Sequence, residues 1–244
     1  MKLKIYAGIV TLIIIGLFTM AAYRPGKYHG EMFMYESDGV ITVTDANAYI
    51  LISDEDWESG HTHEMSFTEG RTVDANITSE ANNTVLRIVT SGAHNLTTGD
   101  EVSIQNAENA GHNGVTTVTV IDGTTFDCDD INYVDDAGVS DAVVVEGAYL
   151  QLGPGGAGEF LFMWSFSGNS GANAQNWKAE IFINSTALDA SSAEMTPAGQ
   201  AHQTMSGMAL HDLAVGDRVY LAIMNETGSN DMNLEHATVL LIPL

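Results

Sequence analysis

Beyond residue 28 the chain alternates. Helical periodicity gives way to short β-branched or aromatic runs read with period two: EMFMY (31–35), GVITVTDANAYILI (39–52), HEMSF (63–67), TVLRIVT (84–90), DEVSI (100–104), GVTTVTVI (114–121), AVVVEGAYLQL (142–152), GEFLFMWSFSG (158–168), KAEIFINST (178–186), DRVYLAIMN (217–225) and ATVLLIPL (237–244). Period two puts successive side chains on opposite faces of an extended strand. Gly, Asn and Asp stand between the runs, where turns need a left-handed or side-chain-capped backbone. No stretch of a dozen residues in this body carries the i, i+3, i+4, i+7 stripe of a helix, so the pattern predicts an all-β protein of sandwich type.

The N-terminus breaks the alternation. Ile5 to Ala22 is an uncharged run of 18 residues behind Met-Lys-Leu-Lys, long enough to make a helix of roughly 27 Å, just short of a hydrocarbon core. Three readings stand: a signal peptide with a poor cleavage site, a retained membrane anchor, or a helix buried in an assembly. In the last two, Ile9, Leu12, Ile13, Ile14, Leu17 and Phe18 are the contact residues. Met20 is also an alternative start.

Charge narrows the partners. Eight Lys+Arg against 32 Asp+Glu give a formal net charge of −24. Lys2, Lys4, Arg24 and Lys27 precede the first acid, so the body keeps only Arg71, Arg87, Lys178 and Arg218. Such a surface repels phosphate backbones and argues against nucleic acid as a partner. Cys128 is the only cysteine, which leaves no intrachain disulfide and no cysteine-built zinc site.

One device is written twice. LTTGDEVSI (96–104) and LAVGDRVYL (213–221) share Leu-x-x-Gly-Asp-x-Val-x-aliphatic. The leucine packs down, glycine takes a backbone that other residues tolerate poorly, aspartate caps the turn, and valine begins a strand. Because the flanks differ, this is the same turn chemistry in two different β units rather than a tandem repeat.

GAGEFLFMWSFSG (156–168), KAEIFINST, MSGMALHDLAVGDRVYLAI and ATVLLIPL follow one another in an order that resembles the second half of a C1q/tumour-necrosis-factor-like jelly roll. GEMFMYESDGVITVTDANAYILI and HEMSF then supply its first half. The chain has Asn184-Ser185 where that family has Asn-Gly. TVLRIVTSGAHNLTTGDEVSIQNAENAGHNGVTTVTVIDGTTFD (84–127) is similar to small Ig-like or barrel-like β modules of phage structural proteins. With residues 1–27 set apart as the hydrophobic helix, the resemblance implies 28–80 plus 141–244 as a jelly-roll domain and 81–140 as an inserted β module. It also implies a homotrimer. The strand GEFLFMWSFSG is apolar on both faces, which requires two cores, and Phe160, Phe162, Trp164 and Phe166 are expected at the subunit interface, with cover by the insert as the alternative.

Chemistry is sparse. No Gly-x-Ser-x-Gly, His-Glu-x-x-His or Walker-type loop is written in the chain, so no catalytic role is expected. DCDDINYVDD (127–136) offers Asp127, Asp129 and Asp130 to calcium, but Asn132 and Gly138 stand where an EF-hand needs Gly and Glu. His61-Thr62-His63 puts two imidazoles on one side of an extended segment, and a threefold axis through them would gather six around a metal; exposed loop histidines are the alternative. Asn76, Asn82, Asn95, Asn184 and Asn225 head Asn-x-Ser/Thr sequons, relevant only where a host glycosylates. The expected function is a trimeric virion protein of decoration, head-fibre or tail-associated type. Its partners would be its own copies, other capsid or tail proteins, and a host receptor or glycan. The alternatives are a membrane-anchored extracellular adhesin held through residues 5–22 and a secreted carbohydrate-binding domain.

Overall fold

The computed structural model describes residues 29–35, 40–41, 46–53, 56–74, 79–82, 84–107, 109–133, 142–170, 175–196 and 202–244. The apolar run with Ile9, Leu12, Ile13, Ile14, Leu17 and Phe18 lies outside them. Among the described residues the helical turns are two three-residue 3-10 segments, Ala110–His112 and Asp189–Ser191. No helix among them is long and apolar enough to cross a membrane.

The all-β expectation holds, with sandwich-like sheets. A front sheet runs in the order Gln203–Leu213, Gly158–Ser170, Met232–Pro243, Gly30–Tyr35, Trp57–Ser59. A back sheet runs Thr186–Ala187, Trp177–Ile183, Arg218–Asn225, Tyr149–Leu152, Met65–Thr68. Their inward rows interleave in one core: Met32, Met34, Phe160, Phe162, Trp164, Phe166, Val239 and Leu241 from the front meet Trp177, Ala179, Ile181, Leu221, Ile223 and Leu150 from the back. Every strand pairing among the described residues is antiparallel, and most join strands distant in sequence, so hydrophobic burial must offset a large loop-closure entropy.

The third sheet runs Arg71–Asp74, Val143–Glu146, Glu101–Gln105, Gly114–Val120, Thr125–Cys128, Leu86–Val89, Ser79–Asn82. It surrounds its own cluster, with Leu86, Ile88, Val102, Ile104, Val118, Phe126, Cys128 and Val144 buried together. The sheet that carries the expected 81–140 module therefore also takes Arg71–Asp74, Ser79–Asn82 and Val143–Glu146. AVVVEGAYLQL is two strands, Val143–Glu146 in this insert sheet and Tyr149–Leu152 in the back sheet. The chain changes sheets at Gly147, where a Cβ would come within 2.6 Å of the Leu51 side chain.

Candidate functional site

The strand Gly158–Ser170 does have two apolar sides, but its aromatics face the other way from the expectation. Phe160, Phe162, Trp164 and Phe166 are 1%, 0%, 3% and 1% exposed in the single chain. The sandwich interior covers them, so they have no surface left for a partner. Trp164 is further held by its indole N–H, which donates to the Ser191 carbonyl at 2.9 Å. Alternation sends Leu161 and Met163 outward. Register then builds rows across the front sheet: Leu210, Leu161 and Ile242 in one, Met208, Met163 and Leu240 in the next. Met208 is 67% exposed, Leu210 54% and Met163 39%. Ser206, Ser165 and Thr238 form the following row, so the apolar band stops at a polar edge. Large exposed apolar side chains in contiguous rows mark an interaction surface.

The outer face of the back sheet has the opposite fate. Leu51, Tyr149, Phe182, Tyr220 and Ala222 cluster there with Val115 of the insert packed against them. The two copies of the repeated turn meet at this joint. In the first, the Asp100 carboxylate accepts from Thr97 N at 2.7 Å and from the Thr97 hydroxyl at 3.0 Å. In the second, Asp217 accepts from Ala214 N at 2.8 Å and from the Asn184 side-chain amide at 3.1 Å. Gly99 and Gly216 take φ of 96° and 91°, the left-handed backbone foreseen for them. Asn184 itself adopts φ 53°, which is how Asn-Ser serves in place of Asn-Gly.

Arg218, the variable residue of the second copy, reaches into the first. Its guanidinium donates to Glu101 Oε2 at 2.9 Å and to the Gly99 carbonyl at 3.2 Å, and it pairs with Asp100 Oδ1 at 2.9 Å. The Tyr220 hydroxyl donates to the same Glu101 oxygen at 2.5 Å. Arg218 also lies over the Tyr149 ring, 4.9 Å from its centroid, a cation–π contact. Burial raises the Glu101 carboxyl above its ordinary value, against the pull of Tyr220 and Arg218. Burial and the neighbouring Glu101 charge together push the Tyr220 phenol well up. A second pin closes the root of the insert: Arg71 donates to Glu146 at 2.8 Å and to the His94 carbonyl at 3.2 Å. His94 is structural. Its Nδ1 accepts from Leu96 N at 2.9 Å and its Nε2 lies 2.7 Å from the Asp122 carbonyl, which sets the tautomer.

The acidic loop is divided among protein donors. Asp127 holds Arg87 through two bonds of 2.6 and 2.8 Å, Asp129 accepts from the Thr119 hydroxyl at 3.0 Å, and Asp130 accepts from Thr117 N at 2.9 Å. The three carboxylates are not gathered at one point. His61 and His63 are exposed and lie beside His29, with His63 bridged to it through the backbone. Sequence reasoning missed His29 because nothing in a one-dimensional pattern joins it to residues three decades later.

No family model matches the chain, and no curated protein matches it. Among solved structures, one described as "Structure of Eiger TNF from S. frugiperda" aligns over 89% of this chain and 92% of that chain, with 10% identity and a TM-score of 0.38.

Proposed function

We propose that the chain is a non-enzymatic binding subunit that assembles as a homotrimer through the outer face of its front sheet, and that it serves as a virion structural protein of decoration, head-fibre or tail-associated type. The observation that carries this reading is the apolar band in which Met163, Met208 and Leu210 are exposed and Leu161, Leu240 and Ile242 are half-buried. The band itself is uncharged in a chain of net charge −24, with the Glu159 and Asp212 pair as the next row on one side and Glu31 beside Leu240, so copies that repel elsewhere can meet there on apolar area with carboxylates only at its edge. The insert then projects from the opposite side of the sandwich, where it is free to meet other capsid or tail proteins, a host receptor or a glycan. The apolar run at residues 5–22 favours a second reading, an extracellular adhesin of the same assembly held to a membrane.

Sedimentation tests the assembly. Met208→Asp combined with Leu210→Asp places charges on two adjacent rows of the band and is expected to reduce the particle to a single chain with its circular dichroism unchanged. A double variant that sediments as the parent does would overturn the interface.

A further inference from the structure

We propose that His29, His61 and His63 form a transition-metal site of the zinc class, complete within one chain. His29 N donates to the His63 carbonyl at 3.2 Å, and His63 N donates back to the His29 carbonyl at 2.8 Å. Residues that exchange both bonds stand directly opposite, and their side chains leave the same face. Gly30 and Met32 turn toward the core, so that face is the outer one. The His29 ring lies 5.8 Å from that of His61 and 5.9 Å from that of His63, centroid to centroid, at interplanar angles of 31° and 22°. Two imidazoles on one tetrahedral zinc, with bonds of about 2.0–2.1 Å, bring their centroids to roughly 5 Å. The two separations from His29 are therefore within about 1 Å of ligand spacing.

The backbone beneath the rings is already fixed. Gly60 N donates to the Glu31 carbonyl at 2.8 Å, and Gly153 N to the Glu64 carbonyl at 3.0 Å. Glu64 itself holds φ at 53°, a left-handed turn without glycine at the end of the histidine segment. Among the described residues, His29 Nδ1 is buried with no hydrogen-bond partner. A buried ring nitrogen left unpaired costs free energy that a bond to metal removes. Glu31 supplies charge: its carboxylate accepts from His61 N at 3.4 Å, next to where the ion would sit. No three such side chains among the described residues have their donors already converged on one point, so the ion closes the site by rotating imidazoles, the usual scale of change on binding. Three neutral imidazoles suit zinc, nickel or copper, with the fourth position left to water or Glu31.

The test is calorimetric titration of zinc chloride into the full-length chain after chelator treatment and dialysis. One ion per chain is expected, with the thermal midpoint raised by mass action. His29→Ala and His61→Ala are each expected to weaken binding by at least about tenfold, the loss that changes outside the ligand sphere already cause. His211→Ala, at an exposed position on Gln203–Leu213 outside the cluster, is expected to leave it unchanged. Nitrogen-15 imidazole spectra of the unsubstituted chain guard against variants that misfold: at one equivalent of zinc, three of the eight histidines should shift. Zinc that binds equally to the His29→Ala chain, or spectra in which no histidine moves, would overturn the site.

Discussion

The two outer faces of the sandwich are built from the same kind of strand and end differently. On the front, Gly158–Ser170 turns Leu161 and Met163 outward and leaves the first half-buried and the second exposed. On the back, Arg218–Asn225 turns Tyr220 and Ala222 outward, and its residues from Val219 to Asn225 are all buried. The difference is polar chemistry. The back face carries Arg218 and the Tyr220 hydroxyl, which fix one orientation of the insert by meeting Glu101, Asp100 and the Gly99 carbonyl. The front band offers only dispersion and apolar area, with flexible methionines that adapt to whatever covers them. A chain that folds a unit onto itself needs a register device; a face left to association can be generic.

The largest expected effect comes from stripping the back face to match the front. Gly70 and Ala148 are neighbours, since a Cβ on Gly70 would lie 2.9 Å from Ala148 N, so joining Gly70 to Gly147 in place of residues 71–146 keeps the sandwich closed. The product has two bare apolar faces, and it is expected to associate beyond the parent's size in light scattering. A product that stays at the parent's oligomeric state would show that the back face needs no cover. Next in size is Arg218→Ala. It leaves Glu101 and Asp100, 3% and 7% exposed, without their cation. Breaking a buried pair in this way costs about 3–5 kcal/mol, and the lower end applies because the Arg218 side chain keeps 15% of its surface. Urea unfolding measures the loss; a cost under about 1 kcal/mol would place the pair in the class of exposed ion pairs.

The strands of the sandwich were legible because period-two alternation is a local property. GEFLFMWSFSG, KAEIFINST and DRVYLAIMN all lie where the pattern puts them. Met232–Pro243 was read only from Ala237, because the ladder shifts register between Ser167 and Gly168, pairing them with His236 and Leu234 and leaving Glu235 over as a bulge that breaks the alternation. Which side of Gly158–Ser170 faces inward was not legible, since alternation fixes that two faces differ and not which one meets the core. The joint was half legible. The repeated turn was read correctly as a strand-launching device, but that the two copies dock on each other depends on residues 117 positions apart, Glu101 and Arg218. A signal for it did exist in the composition. Each of the four basic residues after Lys27 is in an ion pair: Arg71 with Glu146, Arg87 with Asp127, Lys178 with Glu180, Arg218 with Asp100 and Glu101. The three arginines join segments distant in sequence, whereas Lys178 pairs within its own strand Trp177–Ile183, so in a chain this acidic it is a retained arginine that marks a place where two segments are held together.

The smallest effect is the most discriminating, because it separates the charge of Glu101 from its hydrogen bonds. Burial first, and the Asp100 charge after it, raise the Glu101 carboxyl in the folded state, with Tyr220 and Arg218 opposing. Glu146 is raised by burial in the same way, with Arg71 opposing. A folded-state value above the ordinary glutamate value of about 4.3 means that, between the two, the folded chain binds more protons than the unfolded one. Stability contributed by these groups is therefore greatest below that window and declines as pH rises through it. Relief of the net negative charge by acid acts in the same direction for the whole protein, so the wild-type slope alone decides nothing. Glu101→Gln isolates it. The amide oxygen still accepts from the Tyr220 hydroxyl, and the change at neutral pH is expected to stay within about 1 kcal/mol, the scale of one neutral hydrogen bond. Unfolding midpoints from pH 4 to 7 should fall less steeply with rising pH in the variant than in the parent. Parallel slopes would mean that Glu101 does not titrate in this window, and a neutral-pH loss as large as that of Arg218→Ala would mean that the joint is held by the carboxylate charge rather than by the geometry of the two turns.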